Sequence, residues 1–202
     1  MKYHLRGLPV ARMAVVALAL SALAAPAFSQ IPPNSYSGKL QASLLGSLEV
    51  LTPDGRRLIV TMPPDVLVLR SVATDAAGIR PGDRIGVDAK RQADGSLDSV
   101  AINIFSAALW NRVKKGQFPM ESGDVMTNAT VDTTVTRLDG GLITLEQGGQ
   151  SMQIRLTKDV QVHRLVDAST ADLVPGMQLL IRGTPNSDGG VTAATVMYAG
   201  RN

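Results

Sequence analysis

A stretch that occurs twice restricts the possible folds of this chain more than any other feature. Residues 79–95 and 173–189 each contain an apolar residue two positions before Pro-Gly, then an apolar run, then Asp-Gly. Pro81 and Pro175 are 94 residues apart, and the other matching positions have the same separation. Proline fixes φ and glycine tolerates positive φ, so Pro-Gly and Asp-Gly are pairs that turns require. The repeat therefore predicts a duplicated small β-domain.

Short strands are predicted on both sides of these turns, with a brief helix near 71–79. Leu58, Val60 and Met62 recur at every second position, which is typical of a half-buried strand. Without a gap, the same offset matches turn glycines and apolar positions: Gly46 with Gly140, Leu48 with Leu142, Leu51 with Leu145, Gly55 with Gly149, and Val68 with Val162.

The order of these elements indicates the fold class. Closing a short antiparallel sheet into a barrel removes its exposed edges. We therefore predict an all-β protein of two tandem OB-like small β-barrels, each with one short helix. A plain β-sandwich is the alternative.

The first residues are predicted to form a secretory signal peptide. Three basic residues precede an apolar run at 14–25, and Ala25-Pro26-Ala27 has the small-x-small pattern of a cleavage site. The run is shorter than the roughly 20 residues of a membrane-spanning helix. We expect a signal peptide at 1–27, cleaved after Ala27 or Ser29, no membrane span after cleavage, and a periplasmic or secreted protein.

Composition divides the remaining chain into four segments. A lead-in at 28–37 is rich in Pro, Asn and Ser, and β-domains at 38–105 and 128–202 flank a connector at 106–127. Ser106 is predicted to cap a short helix at 107–115 that ends at Gly116, with loop at 117–120.

The charge balance argues against nucleic acid as a partner. The whole chain has 20 Lys and Arg against 17 Asp and Glu, but three of the basic residues lie in the signal peptide, which has no acidic residue. The mature chain is therefore neutral and has no net charge to attract a polyanion.

Several sequence strings resemble a family of exported proteobacterial proteins with OB-like repeats and no established function. The strings lie at 81–87, 94–96, 102–105 and 126–131, and the last reads Met-Thr-Asn-Ala-Thr-Val. Members are often labelled metal ABC transporter permease, a label that does not fit a chain without a membrane-spanning segment after the signal. The resemblance also implies a His-Arg-Pro-Trp-like stretch in the connector, where this chain reads Gly-Gln-Phe-Pro-Met at 116–120, without histidine.

No catalytic or metal-binding set of residues is visible in the sequence. The chain has no cysteine, and His163 is the single histidine after the signal, so a zinc site with three or four nitrogen and sulfur ligands is not expected. We predict no catalytic residue, no metal ligand and no cofactor. His163 is expected on a strand surface.

The connector contains the candidate binding residues. Trp110 lies close in sequence to Arg112, Lys114 and Lys115, and Trp and Arg are enriched at interface hot spots. The alternative is that Trp110 packs between the domains while the basic side chains lie in solvent.

The favoured function is an exported, non-enzymatic binding or scaffolding protein for a protein, glycan or small ligand. A hydrolase-type enzyme with its site between the barrels, and a metal-handling accessory protein, are the alternatives.

Overall fold

Thirteen strands make up most of the regular structure in the computed structural model, which describes residues 34–120, 122–135 and 141–200. The strands are β1 (Ser35–Leu44), β2 (Ser47–Leu51), β3 (Arg57–Thr61), β4 (Leu67–Thr74), β5 (Arg84–Arg91), β6 (Leu97–Ile104), β7 (Gly116–Pro119), β8 (Val125–Val135), β9 (Leu142–Gln147), β10 (Gln150–Arg155), β11 (Gln161–Ala168), β12 (Gln178–Pro185) and β13 (Val191–Ala199). Short 3₁₀ turns at Ala76–Gly78 and Thr170–Asp172 and a helix α1 (Ala107–Trp110) complete the regular structure of the described residues. The prediction of an all-β fold is confirmed.

The strands follow from the alternation in the sequence. In β3, Leu58 and Val60 are buried while Arg57, Ile59 and Thr61 are exposed. Successive side chains of a strand point to opposite faces, so one apolar face becomes the wall of a core.

Hydrogen-bonded strands close two circuits of five, which we call the first and second barrels. The first barrel runs β12, β1, β2, β3 and β13, and parallel pairing of Val191 with Val60 in β3 closes it. The second barrel runs β10, β9, β8, β5 and β6, and one parallel pair, Arg155 with Asp98, closes it. Each barrel encloses its own buried apolar cluster.

The barrels do not coincide with the predicted domains, and this corrects the tandem arrangement. Strands β1–β3 from 38–105 share a core with β12 and β13 from 128–202, whereas β5 and β6 share a core with β8–β10. Alternation of buried and exposed residues makes a segment a strand but does not name its neighbour, so the sequence pattern is satisfied by either pairing.

Strands β4 and β11 join the two barrels. They pair antiparallel over seven residues, with Ser71 opposite Leu165, the position 94 residues later. Strand β4 also pairs parallel with β13 of the first barrel, and β11 pairs parallel with β6 of the second. Leu67, Leu69 and Leu165 form a third apolar cluster at this junction. The chain is thereby one continuous sheet.

The predicted matching at an offset of 94 residues does not match buried with buried positions in β9. It matches Leu48 with Leu142, but Leu48 is 2% exposed and Leu142 is 43% exposed. It also matches Leu51, 41% exposed, with Leu145, which is fully buried. The buried residues of β9 lie one position later than the offset predicts, and a shift of one residue moves every side chain of a strand to the other face.

The connector also differs from its prediction. Ser106 caps α1, but the helix ends at Trp110 instead of continuing to residue 115. Residues 116–119 form strand β7 on β8 instead of a loop, and β8 already begins at Val125. The antiparallel edge of β8 provides hydrogen-bond partners that the local sequence does not reveal.

The N-terminal predictions fall mostly outside the described residues. The signal peptide at 1–27 and most of the lead-in lie there, while residues 35–37 of the lead-in belong to β1. Within the described part of the chain, no helix has the length and apolar character needed to cross a membrane.

Candidate functional site

The connector at 106–127 lies across the junction of the two barrels and is anchored at both ends of α1. The Ser106 hydroxyl accepts a hydrogen bond from the Leu109 amide at 3.2 Å and donates one to the Asp167 carboxylate of β11 at 2.5 Å. Past the helix, the Arg112 guanidinium donates to the main-chain carbonyl of Asp65 at 2.8 Å. Ala108 and Leu109 pack against the junction cluster. The connector is therefore fixed to the body of the protein.

Phe105 and the connector lie against strands β5 and β8 of the second barrel. Gly86 of β5 pairs with Asn128 of β8, and a Cβ at Gly86 would collide with the Phe105 ring. The Asn128 amide donates to the Lys114 carbonyl at 2.8 Å. Asn128 is only 8% exposed, and its Oδ1 has no hydrogen-bond partner within the described residues. Gly86 thus leaves room for the Phe105 ring, and Asn128 bonds the main chain of the connector.

Trp110 lies half-buried at the end of α1 among an aromatic and two cationic side chains. Its ring centroid is 6.3 Å from that of Phe105. The Arg84 guanidinium and the Lys115 ammonium lie 5.9 and 5.1 Å from its centroid. These are distances at which a cation is attracted to the negative face of an aromatic ring. A part of Trp110 stays exposed between the two cations.

The four predicted binding residues all lie at 110–115 in the connector. Lys114 places its ammonium 5.0 Å from the centroid of Phe118 in β7, beside Lys115. Arg112, Lys114 and Lys115 are exposed, as is Arg84. We call Arg84, Trp110, Arg112, Lys114 and Lys115 the cationic patch.

The cations of the patch have no carboxylate partner among the described residues. The ion pairs there are Arg56 with Asp54, Arg57 with Glu49, Arg155 with Asp98, and Arg164 with Asp83. The patch is therefore positive. Exposed cations beside aromatic rings suit a carboxylate or another anion, since both Arg and Lys donate to such groups.

Sequence reasoning did not find Arg84, Phe105 or Phe118. Arg84 lies 26 residues before Trp110 and reaches it only because β5 and β6 are paired. The alternation of β5 does place Arg84 on the outer face, opposite the buried Ile85, and that is the one signal that marks it as exposed. Contact across strands has no local trace in the sequence.

His163 lies on strand β11 and is half-buried. Its Nδ1 lies 3.1 Å from the Ser71 hydroxyl of β4. The two residues are far apart in sequence and meet because β4 pairs with β11. Among the hydrogen bonds of the described residues, none joins a carboxylate to the other ring nitrogen, so no third residue orients the imidazole there.

An acidic pair lies beyond the opposite end of β7. Burial raises the pKa of Asp88, and the carboxylate of Asp124 raises it further, while Lys90 acts in the opposite direction. A cavity of about 240 Å³ adjoins this pair and is lined by Arg91, Gln117, Phe118, Pro119, Asp124 and Val125. Another of about 310 Å³ lies between β5, β6 and the loop after β10. Within the described residues, no group of three His, Cys, Asp or Glu is placed to hold a metal ion.

The chain matches no protein-family model, no curated protein and no solved structure. Its function is therefore argued from the geometry of the cationic patch.

Proposed function

We propose that this chain is an exported, non-enzymatic binding or scaffolding protein whose partner contacts the cationic patch. The observation that carries the proposal is the exposed part of Trp110 between Arg84 and Lys115, on a connector anchored to β11 and to Asp65. A fixed aromatic residue loses little conformational entropy on binding, which favours it as an interface anchor.

The proposal includes a duplication of one OB-like unit, with strands exchanged between the copies. Pairing of β4 with β11 at equivalent positions supports it, because Ser71 and Leu165 lie opposite each other on an approximate two-fold axis. The parallel pairs support it too, since Ala101 with Gln161 corresponds at the same offset to Thr195 with Leu67. Such a unit supplies a rigid body for the patch and no chemistry of its own.

Export rests on the predicted signal peptide at 1–27, which makes the periplasm or the exterior the place where the partner is met. An epitope-tagged full-length chain, followed by cell fractionation and mass spectrometry of its N-terminus, tests this part. A mature start at Phe28 or Gln30 in the periplasmic or secreted fraction is the expected result.

Affinity capture from that compartment tests the binding function. The unaltered protein, Trp110→Ala and the control Leu45→Ala are compared, because Leu45 is a fully exposed apolar residue on the first barrel. We expect a stoichiometric partner with the unaltered protein and the control, and its loss with Trp110→Ala. Recovery of the same partners by all three contradicts the proposal, provided that thermal unfolding shows all three to be folded.

Ser71 and His163 favour a hydrolase as the second candidate. Their 3.1 Å contact lies on the strands that join the two barrels, near the connector. A serine attacks a carbonyl when a histidine accepts its proton. Labelling with a fluorophosphonate probe, and its loss in Ser71→Ala with Ser37→Ala as control, would favour the hydrolase over the binding protein.

A further inference from the structure

We infer that the free edge of β7 binds an extended acidic segment of a partner protein, which adds to the sheet as a strand. This inference rests on the proposed binding function and names the class of partner. It joins three features of residues 114–119 that the binding proposal does not use together: an open strand edge, cations beside it, and a cavity at its far end.

The first feature is the edge itself. Within the described residues, β7 pairs with β8 alone, through Gly116 with Asn128 to Pro119 with Val125. A strand with one neighbour presents main-chain groups to an added strand. The amides of Gln117 and Pro119 point away from β8, and proline has no N–H, so this edge offers the Gln117 N–H as donor and main-chain carbonyls as acceptors. Extended peptides commonly bind by this addition, with main-chain hydrogen bonds for affinity and side-chain contacts for specificity.

The second feature is the charge along this edge. Lys114 and Lys115 immediately precede β7, and Arg91 lies beside its other end, at the cavity. None of the three belongs to an ion pair within the described part of the chain. Lys114 and Lys115 complement carboxylates at the start of the strand, whereas Asp124 lies with Arg91 at its other end. The carboxylates of an added segment are therefore expected beside the two lysines, on alternate residues because alternate side chains of a strand lie on one face.

The third feature is the cavity of about 240 Å³ beside Phe118 and Pro119. Its size suits one side chain of the added segment, and its lining combines the apolar Phe118, Pro119 and Val125 with Arg91, Gln117 and Asp124. An apolar side chain of the segment can pack on Phe118 while a neighbouring carboxylate pairs with Lys114, whose ammonium lies over this ring. An acidic peptide with apolar residues between its carboxylates therefore fits better than a nucleic acid or a lipid surface, which has no strand edge to offer.

The test is an NMR titration of the mature protein with a peptide of about eight alternating glutamate and valine residues. The comparison peptides carry lysine in place of glutamate, or N-methyl groups on alternate amides to block strand pairing. Lys114→Ala with Lys115→Ala forms the charge variant. Lys39→Ala with Arg182→Ala is its matched control, since both residues are exposed cations of the first barrel.

We expect amide shifts centred on residues 114–119 and about tenfold weaker binding in the charge variant, with no change in the control. The N-methylated and lysine peptides should not bind. Equal binding of the lysine peptide, shifts centred elsewhere, or an unchanged charge variant overturns the inference. Binding of a single-stranded oligonucleotide or of anionic vesicles in place of the peptide also overturns it.

These outcomes are separate from the fate of the proposed function. A Trp110-dependent partner in the capture experiment, without acidic-peptide binding at β7, leaves the binding function standing and removes only this class of partner. Peptide binding at β7 with no Trp110-dependent partner supports strand addition at this edge and contradicts the proposed role of Trp110.

Discussion

The two barrels differ at one row of outward-facing residues, and the connector lies against that row in the second barrel. In the first barrel the row across β1, β12 and β13 is Ser37, Leu180 and Met197. In the second barrel the row across β8, β5 and β6 is Asn128, Gly86 and Asn103. The first row has two large apolar side chains, whereas the second has a glycine between two asparagines.

A few side chains therefore distinguish these two surfaces. Leu180 carries a partly buried apolar side chain, whereas Gly86 leaves room for the Phe105 ring. Asn128 supplies a hydrogen bond to the connector main chain that Ser37 is not seen to make among the described residues. Trp110 and its cations are held in place as a consequence.

The largest expected effect comes from filling the gap. Gly86→Ala places a Cβ against the Phe105 ring and 2.8 Å from the Asn128 Oδ1. Forced side-chain movement in a packed site costs about 2 kcal/mol of unfolding free energy. We expect that loss in urea unfolding, together with a red shift of Trp110 fluorescence as the connector lifts. Gly82→Ala is a poor control because φ is positive there, so Leu180→Ala in the other row serves instead.

A red shift of Trp110 fluorescence in Leu180→Ala, or none in Gly86→Ala, would contradict the role given to the space beside Gly86.

Removing the amide bond should have a smaller effect. Asn128→Ala deletes the hydrogen bond to the Lys114 carbonyl but also removes an Oδ1 that has no partner among the described residues. The two changes partly offset each other, so we expect a loss of about 1 kcal/mol. Hydrogen exchange of residues 114–119 should accelerate, because the connector loses its attachment to β8. Ser37→Ala is the matched variant, and exchange there should not change.

The effect of Asp88 on stability should depend on pH in the opposite sense to that of Asp94, because the pKa of Asp88 is raised and that of Asp94 is lowered. Burial raises the pKa of Asp88 in the folded protein above its usual 3.8, so the folded state binds this proton more tightly than the unfolded state. The charged carboxylate therefore costs stability at neutral pH, and Asp88→Asn should be more stable than the unaltered protein there. The advantage should shrink as the pH falls through the raised pKa towards 3.8. Unfolding in urea across this pH range measures it.

Hydrogen bonds from Ser96 lower the pKa of Asp94. Its charged carboxylate therefore stabilises the folded protein at neutral pH, the reverse of Asp88. Asp94→Asn should lose stability at neutral pH, and the loss should disappear in acid as the pH falls below the usual range. Parallel pH profiles for the two variants would show that burial is not what distinguishes these carboxyl groups.

The smallest effect is expected on the uncovered barrel. Leu45 is 107% exposed at the β1–β2 hairpin and has no packing to lose. Leu45→Ser should change the unfolding free energy by less than about 0.5 kcal/mol. A larger loss in urea unfolding would mean that the first barrel is also covered in solution.

Much of the fold was predictable from local patterns. Alternation at Leu58 and Val60, and turns at Pro81-Gly82 and Asp94-Gly95, correctly indicate an all-β chain. The cap at Ser106 was predictable because its hydroxyl serves an amide three residues away. These features depend on residues close in sequence, which is why the sequence reveals them.

The register of β9 and the existence of β7 were not predictable in this way. A one-residue offset between Leu48 and Leu142 leaves the composition of the strand unchanged and shows only in which residues are buried. Strand β7 has four residues and depends on the edge of β8. Four residues of the cationic patch are close in sequence: Trp110, Arg112, Lys114 and Lys115. Arg84 reaches Trp110 only through strand pairing.

The sequence by itself determined the kind of structure that this chain forms: short strands, turns at glycine and proline, and a connector unlike either copy. Only the tertiary structure decided which strands share a barrel, because β3 pairs with β13, which is distant in sequence. It also decided that Gly86 faces the Phe105 ring and that Asn128 bonds the connector, since those contacts depend on how strands and a loop meet in space. Local preferences are written residue by residue, whereas the choice between equivalent partners is made by the whole chain.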